Sequence, residues 1–238
     1  MIMTYVVIIA YLAILLLIGV VASRRIHNMA DYYVGGKRLG YWVAAFSARA
    51  SGESAWLYLG LTGLGAMVGI RGMWVVVGEC LGVGIAWFFM ATPFKRATDK
   101  FGSITIPDYL VSRFTTPGKS ERPARVLRLA SAIALSLFVT IYVSAQIDAT
   151  GTAFENFLGW NYFAGAIFGF LIVVVYTMSG GFVAVAWSDL FQGLLMLAGL
   201  LALPVAACIS MSDSPGVWGR LESMQTGLTS LWGPGGAS

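Results

Sequence analysis

The chain has 238 residues, a formal net charge of +4 at pH 7, 58% hydrophobic residues, 29 glycines and 11% charged residues. Soluble domains carry roughly 25% charged residues and about half apolar ones, so a soluble globule of this size has no interior large enough for so much apolar side chain. One His (His27) and two Cys (Cys80 and Cys208, both in apolar runs) exclude a His/Cys zinc or haem centre and a disulfide framework, and no GxxxxGK[ST] or GxGxxG phosphate loop is present.

Six apolar runs are long enough to cross a bilayer, at about 20 residues each: 4–23, 41–68, 72–92, 127–151, 162–178 and 189–211. The first has no Lys or Arg before its apolar core and is too long for a signal peptide, so it reads as a helix that stays. Arg24, Arg25, Lys37 and Arg38 follow it. Lys95, Arg96, Lys100, Arg113, Lys119, Arg122 and Arg125 lie between the third and fourth runs, with Arg128 at the start of the fourth. The opposite loops hold only Arg71 and Arg220. Cytoplasmic loops carry the positive charge, which predicts a multi-pass plasma-membrane protein with both N-terminus and C-terminal tail outside. The basic excess sits between spans and is no nucleic-acid signal.

Within the long polar loop, Ile106-Pro107-Asp108-Tyr109-Leu110 predicts a Pro-started surface helix. The stretch 213–238, rich in Gly, Ser and Pro and ending in Gly233-Pro234-Gly235-Gly236, reads as an external loop after a transmembrane region at 1–212. Gly165 and Gly169 form a small-xxx-small pair that predicts close helix packing.

Inside the second run, Ser51-Gly52-Glu53-Ser54 are weaker helix formers and predict an interruption. Unwound backbone in a transporter frees carbonyls for Na⁺ and a helix N-terminus for an anionic solute group; small residues also permit plain helix packing. Ionisable groups at membrane depth cost about 2.5–3.5 kcal/mol each by insertion scales. Arg49 and Glu53 are four apart and share a helix face if the helix continues, which allows a structural ion pair or a charged lining of a solute path. Glu79 needs a partner or water. Asp189, at the start of the sixth run, reads as a helix cap or as part of an ion path. Tyr142 reads as packing, and Gln146 and Asp148 read as solvated edge residues.

Four stretches, in order along the chain, carry a resemblance. Asp31-Tyr32-Tyr33-Val34-Gly35-Gly36-Lys37-Arg38-Leu39-Gly40 resembles the D-Y-[FLIV]-x-G-G-[RK]-x-L-G stretch of the sodium/solute symporter family. Residues 47–63, SARASGESAWLYLGLTG, resemble that family's broken helix, and 104–114, ITIPDYLVSRF, resemble a loop of its sodium/proline symporter branch. Residues 176–192, YTMSGGFVAVAWSDLFQ, resemble the GG-x-x-A-V-x-W-[TS]-D-x-x-Q signature. The chain departs from the proline branch at Gly52, where that branch has an Asp, and at Glu53, where it has an apolar residue.

The resemblance implies an all-α integral membrane fold: one extra N-terminal helix (4–23), then the first five-helix repeat (41–211) of an inverted-repeat symporter, with the second repeat lying in a missing C-terminal half of the same protein. It implies a transporter, not an enzyme, that couples Na⁺ to uptake of a small organic solute, foremost an amino acid such as proline. The partners it implies are the solute, Na⁺ and the lipid bilayer, with no cofactor besides the coupling ion and no nucleic acid. By the same resemblance, the Ala50 and Glu53 carbonyls and Asp189 bind Na⁺, while Ser54, Trp56, Glu79 and Tyr142 line the solute. Alternatives are a membrane sensor built on a symporter-like half and a symporter for a sugar or monocarboxylate. A channel is disfavoured, because no filter loop is visible.

Overall fold

The computed structural model describes residues 2–37, 39–115, 121–210, 216–224 and 227–232. Among them the regular structure is helical, with no strand. Four helical stretches are long and apolar enough to cross a membrane: Ile2–Ser23, Leu59–Lys100, Glu121–Leu158 and Tyr162–Ser210. The last has 49 residues. At 1.5 Å per residue that is about 74 Å, more than twice a hydrocarbon core of ~30 Å. Its backbone breaks at Gly181, where φ is 51° and ψ −149°. Leu59–Lys100 breaks in the same way at Gly69, with φ 63° and ψ −139°. These two breaks and the helix leading into Leu59 account for the six apolar segments of the sequence.

In chain order the helices are α1 (Ile2–Ser23), α2 (Met29–Val34), α3 (Tyr41–Ala55), α4 (Thr62–Val68), α5 (Met73–Ala86), α6 (Thr92–Lys100), α7 (Ile106–Phe114), α8 (Glu121–Leu158), α9 (Tyr162–Ser210) and α10 (Gly216–Met224). Wide π-helical turns at Trp56–Leu61 and Trp87–Ala91 lead from α3 into α4 and from α5 into α6. Phe88, Phe138 and Leu203 are 81%, 70% and 73% exposed. So much bare apolar surface fits lipid as the surrounding solvent.

Two boundaries differ from the sequence reading. The fourth span is the 38-residue α8, which runs on past Gln146 and Asp148 to Leu158. Tyr162 Oη donates to Asp148 Oδ1 at 2.5 Å, tying α8 to the start of α9. The turn between the fifth and sixth spans falls at Gly181, which leaves Asp189 two helical turns inside the sixth span. It therefore caps no helix end. The intervening Ala- and Val-rich residues stay helical because lipid offers their backbone groups no other partner.

The chain divides into two compact units. The first comprises Met1–Ala48 and Ala91–Leu190. Its core is built on small residues that let helices approach. A Cβ added at Gly19 of α1 would stand 2.9 Å from Tyr176 Cβ, and one at Gly180 would stand 2.9 Å from the Gly19 carbonyl. Between α8 and α9, a Cβ at Gly165 would meet Phe154 at 2.4 Å and one at Gly169 would meet Thr150 at 2.5 Å, which is the packing expected of that pair. α7 starts as the sequence predicts: Pro107 is in its first turn, the Thr105 hydroxyl accepts the Asp108 N–H at 3.2 Å, and Arg128 pairs with Asp108 at 3.4 Å.

The second unit comprises Arg49–Met90 and Phe191–Ser238. Here residues 227–232 lie against the Gly69 turn. The Leu228 carbonyl accepts the Ile70 N–H at 2.8 Å, and Trp74 Nε1 donates to the Leu231 carbonyl at 3.1 Å. A Cβ at Gly69 would stand 2.0 Å from the Leu228 oxygen, so this approach requires glycine. α10, within a tail read from sequence as loop, ends in a small acid-held turn. The Glu222 carboxylate accepts the Gly227 N–H at 3.1 Å and the Thr229 hydroxyl at 2.5 Å. Those two bonds, the Thr229 one foremost, hold its pKa below the ordinary glutamate value of 4.5. A depressed folded pKa means that the turn has its full support above pH ~4.5 and loses it as pH falls through the lower folded value. The protection factor of the Gly227 amide, its exchange rate compared with the intrinsic rate at the same pH, should therefore be high at neutral pH and fall on acidification below that point. An exchange rate that follows only the intrinsic pH dependence contradicts the assignment.

Candidate functional site

In the first unit the central feature is Asp189. Its carboxylate sits within an apolar helix and accepts a hydrogen bond from the Ser47 hydroxyl of α3 at 2.6 Å. Ser47 is 6% exposed, and Ser188, beside Asp189 in sequence, is fully buried. Ser188 donates to the Val185 carbonyl at 2.8 Å, and the buried Tyr176 lies close to both Ser188 and Asp189. Among the described residues no Lys or Arg pairs with Asp189. A carboxylate held this way, with one hydroxyl donor and free oxygen lone pairs, is suited to a hard cation. Sequence reasoning missed Ser47 and Tyr176. The available signal was a serine three residues before Ala50 within an apolar run, which by itself is ambiguous with packing.

In the second unit the expected unwinding at Ser51-Gly52-Glu53-Ser54 does not occur: α3 is helical through Ala55. The irregularity comes one step later, at the π-helical turn Trp56–Leu61. Serine and glycine are weak helix formers in water, but away from water an unpaired backbone group costs several kcal/mol, and that holds the helix together. The Ala50 carbonyl thus lies in regular helix. The π turn has its own support: a Cβ at Gly60 would stand 2.1 Å from the Trp56 ring, so the indole lies directly over a glycine. Widened turns of this kind are frequent at functional sites. Trp56 is 53% exposed. The side chains of Glu53 and Ser54 lie outside the described residues, as do Arg38, Lys119 and the Gly233–Gly236 end of the tail.

Glu79 of α5 has the partner that its depth demands. Arg49 Nη1 stands 3.0 Å from Glu79 Oε1. The ion pair joins α3 to α5, a contact that the sequence spacing did not indicate; the Arg49–Glu53 pairing it suggested falls on a side chain outside the described residues. Glu79→Leu removes this charge-assisted bond between α3 and α5 and should lower stability by about 1.5–3 kcal/mol. The exchange Arg49→Glu with Glu79→Arg should recover most of it. Thermal unfolding of the detergent-solubilised protein measures both, and an exchanged pair no more stable than Glu79→Leu would refute a direct interaction. Tyr142 lies in the middle of α8, in the first unit, and is 46% exposed.

No group of three or more His, Cys, Asp or Glu gathers among the described residues. Residues 32–235 match the family model described as sodium:solute symporter family. The chain belongs to that family. It is 41% identical over 192 residues to the high-affinity proline transporter PutP of Bacillus subtilis, covering 80% of this chain and 39% of that protein. It is 37% identical over 216 residues to the sodium/proline symporter of Salmonella typhimurium, covering 90% and 41%. A solved structure of a Na⁺-coupled sialic acid symporter, substrate-bound and outward-open, superposes with a TM-score of 0.75 at 26% identity, covering 92% of this chain and 42% of that one. This family member thus spans about two fifths of the length of the curated relatives it matches.

Proposed function

We propose that these residues serve a Na⁺-coupled symporter of a small organic solute, with proline the foremost candidate. The observation that carries this reading is the Asp189 carboxylate, held inside an apolar helix by Ser47 with no cationic side chain paired to it among the described residues. A negative charge kept at span depth without such a counter-charge is suited to bind a cation in transit. Family membership and the names of the relatives support Na⁺ as that cation and an amino acid as the solute. No bond is made or broken; the work is alternating access, in which bound Na⁺ favours the state that takes solute from outside.

Ser54 and Trp56, with Glu79 and Tyr142, remain the solute-lining candidates, and the Ala50 and Glu53 carbonyls remain ion candidates, each by resemblance. The π turn gives Trp56 a defined backbone setting for such a role. Inverted-repeat transporters need two repeats to alternate access, so the reading includes a second repeat acting with these residues. The Lys and Arg distribution supports an N-terminus outside and the basic loops inside.

The test is uptake of labelled proline into proteoliposomes that hold the protein with both repeats, under an imposed Na⁺ gradient, with Ser54→Ala as the solute-site variant. Accumulation should follow the gradient, and Ser54→Ala should raise the proline concentration for half-maximal uptake by roughly 10-fold or more. In intact cells an impermeant thiol reagent should label a cysteine at Thr4 and spare one at Lys95. Uptake of every solute indifferent to Na⁺ would refute coupling.

A further inference from the structure

Around the end of α1 lies a cavity of about 410 Å³ whose lining includes Arg24, Arg25, Asp31, Val43, Val183 and Trp187. All of these belong to the first unit, and neither Asp189 nor Ser47, which the transport reading uses, lines the cavity. We propose that this cavity binds the headgroup of an anionic phospholipid.

Depth comes first. α1 has 22 residues of almost wholly apolar character. At 1.5 Å per residue it is about 33 Å long, enough to cross a hydrocarbon core of ~30 Å, so Arg24 and Arg25 emerge at headgroup level. Trp187 is 41% exposed beside them, and the Arg25 guanidinium lies 5.8 Å from the centre of its indole ring. Interfacial tryptophan is characteristic of that depth.

Charge comes second. Neither Arg24 nor Arg25 has a carboxylate partner among the described residues. Asp31 also faces the cavity, but its Oδ2 already accepts the His27 N–H at 3.1 Å. Two guanidinium groups against one engaged carboxylate leave the rim positive. The helix C-terminus adds a reason for basic residues here, yet it needs no cavity.

An apolar part of the lining, Leu39 with the buried Val43 and Val183, distinguishes a lipid from a soluble anion. Basic and apolar groups in one cavity at the membrane boundary match a phosphate with its glycerol and first acyl carbons. Free phosphate has nothing to place against the apolar part. Basic pockets between membrane helices bind anionic headgroups in this way.

The experiment is native mass spectrometry of the detergent-solubilised protein, titrated with phosphatidylglycerol, with phosphatidylcholine and with inorganic phosphate. Retention of phosphatidylglycerol well above phosphatidylcholine is expected, with no displacement by equimolar phosphate. Arg24→Gln with Arg25→Gln should weaken phosphatidylglycerol retention by roughly 25-fold, about 5-fold per arginine. The Lys double variant should retain most of it, and Arg96→Gln with Lys100→Gln in the basic loop should change it little. Equal retention of the two lipids by the unaltered protein overturns the proposal whether or not a variant folds. So does displacement by phosphate, or an equal loss on neutralising Arg96 and Lys100.

Discussion

Asp189→Asn should raise the Na⁺ concentration for half-maximal transport by roughly 10- to 150-fold, the equivalent of about 1.5–3 kcal/mol from one lost charged contact. The substitution keeps the side chain's shape, and its amide oxygen still accepts the Ser47 hydroxyl that now lies 2.6 Å from the carboxylate. What it removes is the negative charge, so packing survives while cation affinity falls. Ser47→Ala is the companion variant. It leaves the charge in place but frees it to move, so its shift should be in the same direction and smaller than that of Asp189→Asn. Initial uptake rate against Na⁺ and against solute, normalised to folded protein, separates the cases. Loss of an ion ligand moves the Na⁺ curve more than the solute curve. Loss of structure lowers folded protein and leaves both curves alone. An Asp189→Asn protein with unaltered Na⁺ dependence would make the Ser47–Asp189 contact structural only.

The second large effect is expected at the turn between the fifth and sixth spans. Gly181 adopts φ 51° and ψ −149°, a combination open essentially to glycine alone. A Cβ there would also stand 2.7 Å from the Tyr32 carbonyl oxygen, and backbone cannot yield as a flexible side chain can. Gly181→Val combines backbone strain of about 1–3 kcal/mol with overpacking of about 1–3 kcal/mol. Set against a total stability of roughly 5–15 kcal/mol, that is enough to deplete the folded state. Gly199→Val is the control: the position lies in the same long helix, and a Cβ there meets nothing within 4 Å. Folded yield and thermal unfolding should drop sharply for Gly181→Val and little for Gly199→Val. Equal behaviour of the two would mean that the turn does not need its glycine.

Hydropathy, charge and short motifs were enough to read the membrane class, the apolar segments, the Pro107-started helix, the Gly165/Gly169 packing pair and the family. All of these follow from properties that each residue carries with it: its transfer cost into lipid, its backbone freedom and its size. The tertiary structure decided which groups meet and where helices stop. Arg49 pairs with Glu79 of α5, because packed helices bring a carboxylate 30 residues away within 3.0 Å. Asp189 looked like a helix start after an apolar run, yet the helix begins at Gly181, the residue whose unusual backbone fits against Tyr32. Ser51 and Gly52 looked like a break, yet the backbone stays helical there and widens at Trp56–Leu61, where an indole lies over Gly60. Propensity describes a residue in water. In lipid the cost of an unpaired backbone group exceeds those preferences, and the packing partner, which sequence spacing does not specify, determines where the chain turns and which charges are matched.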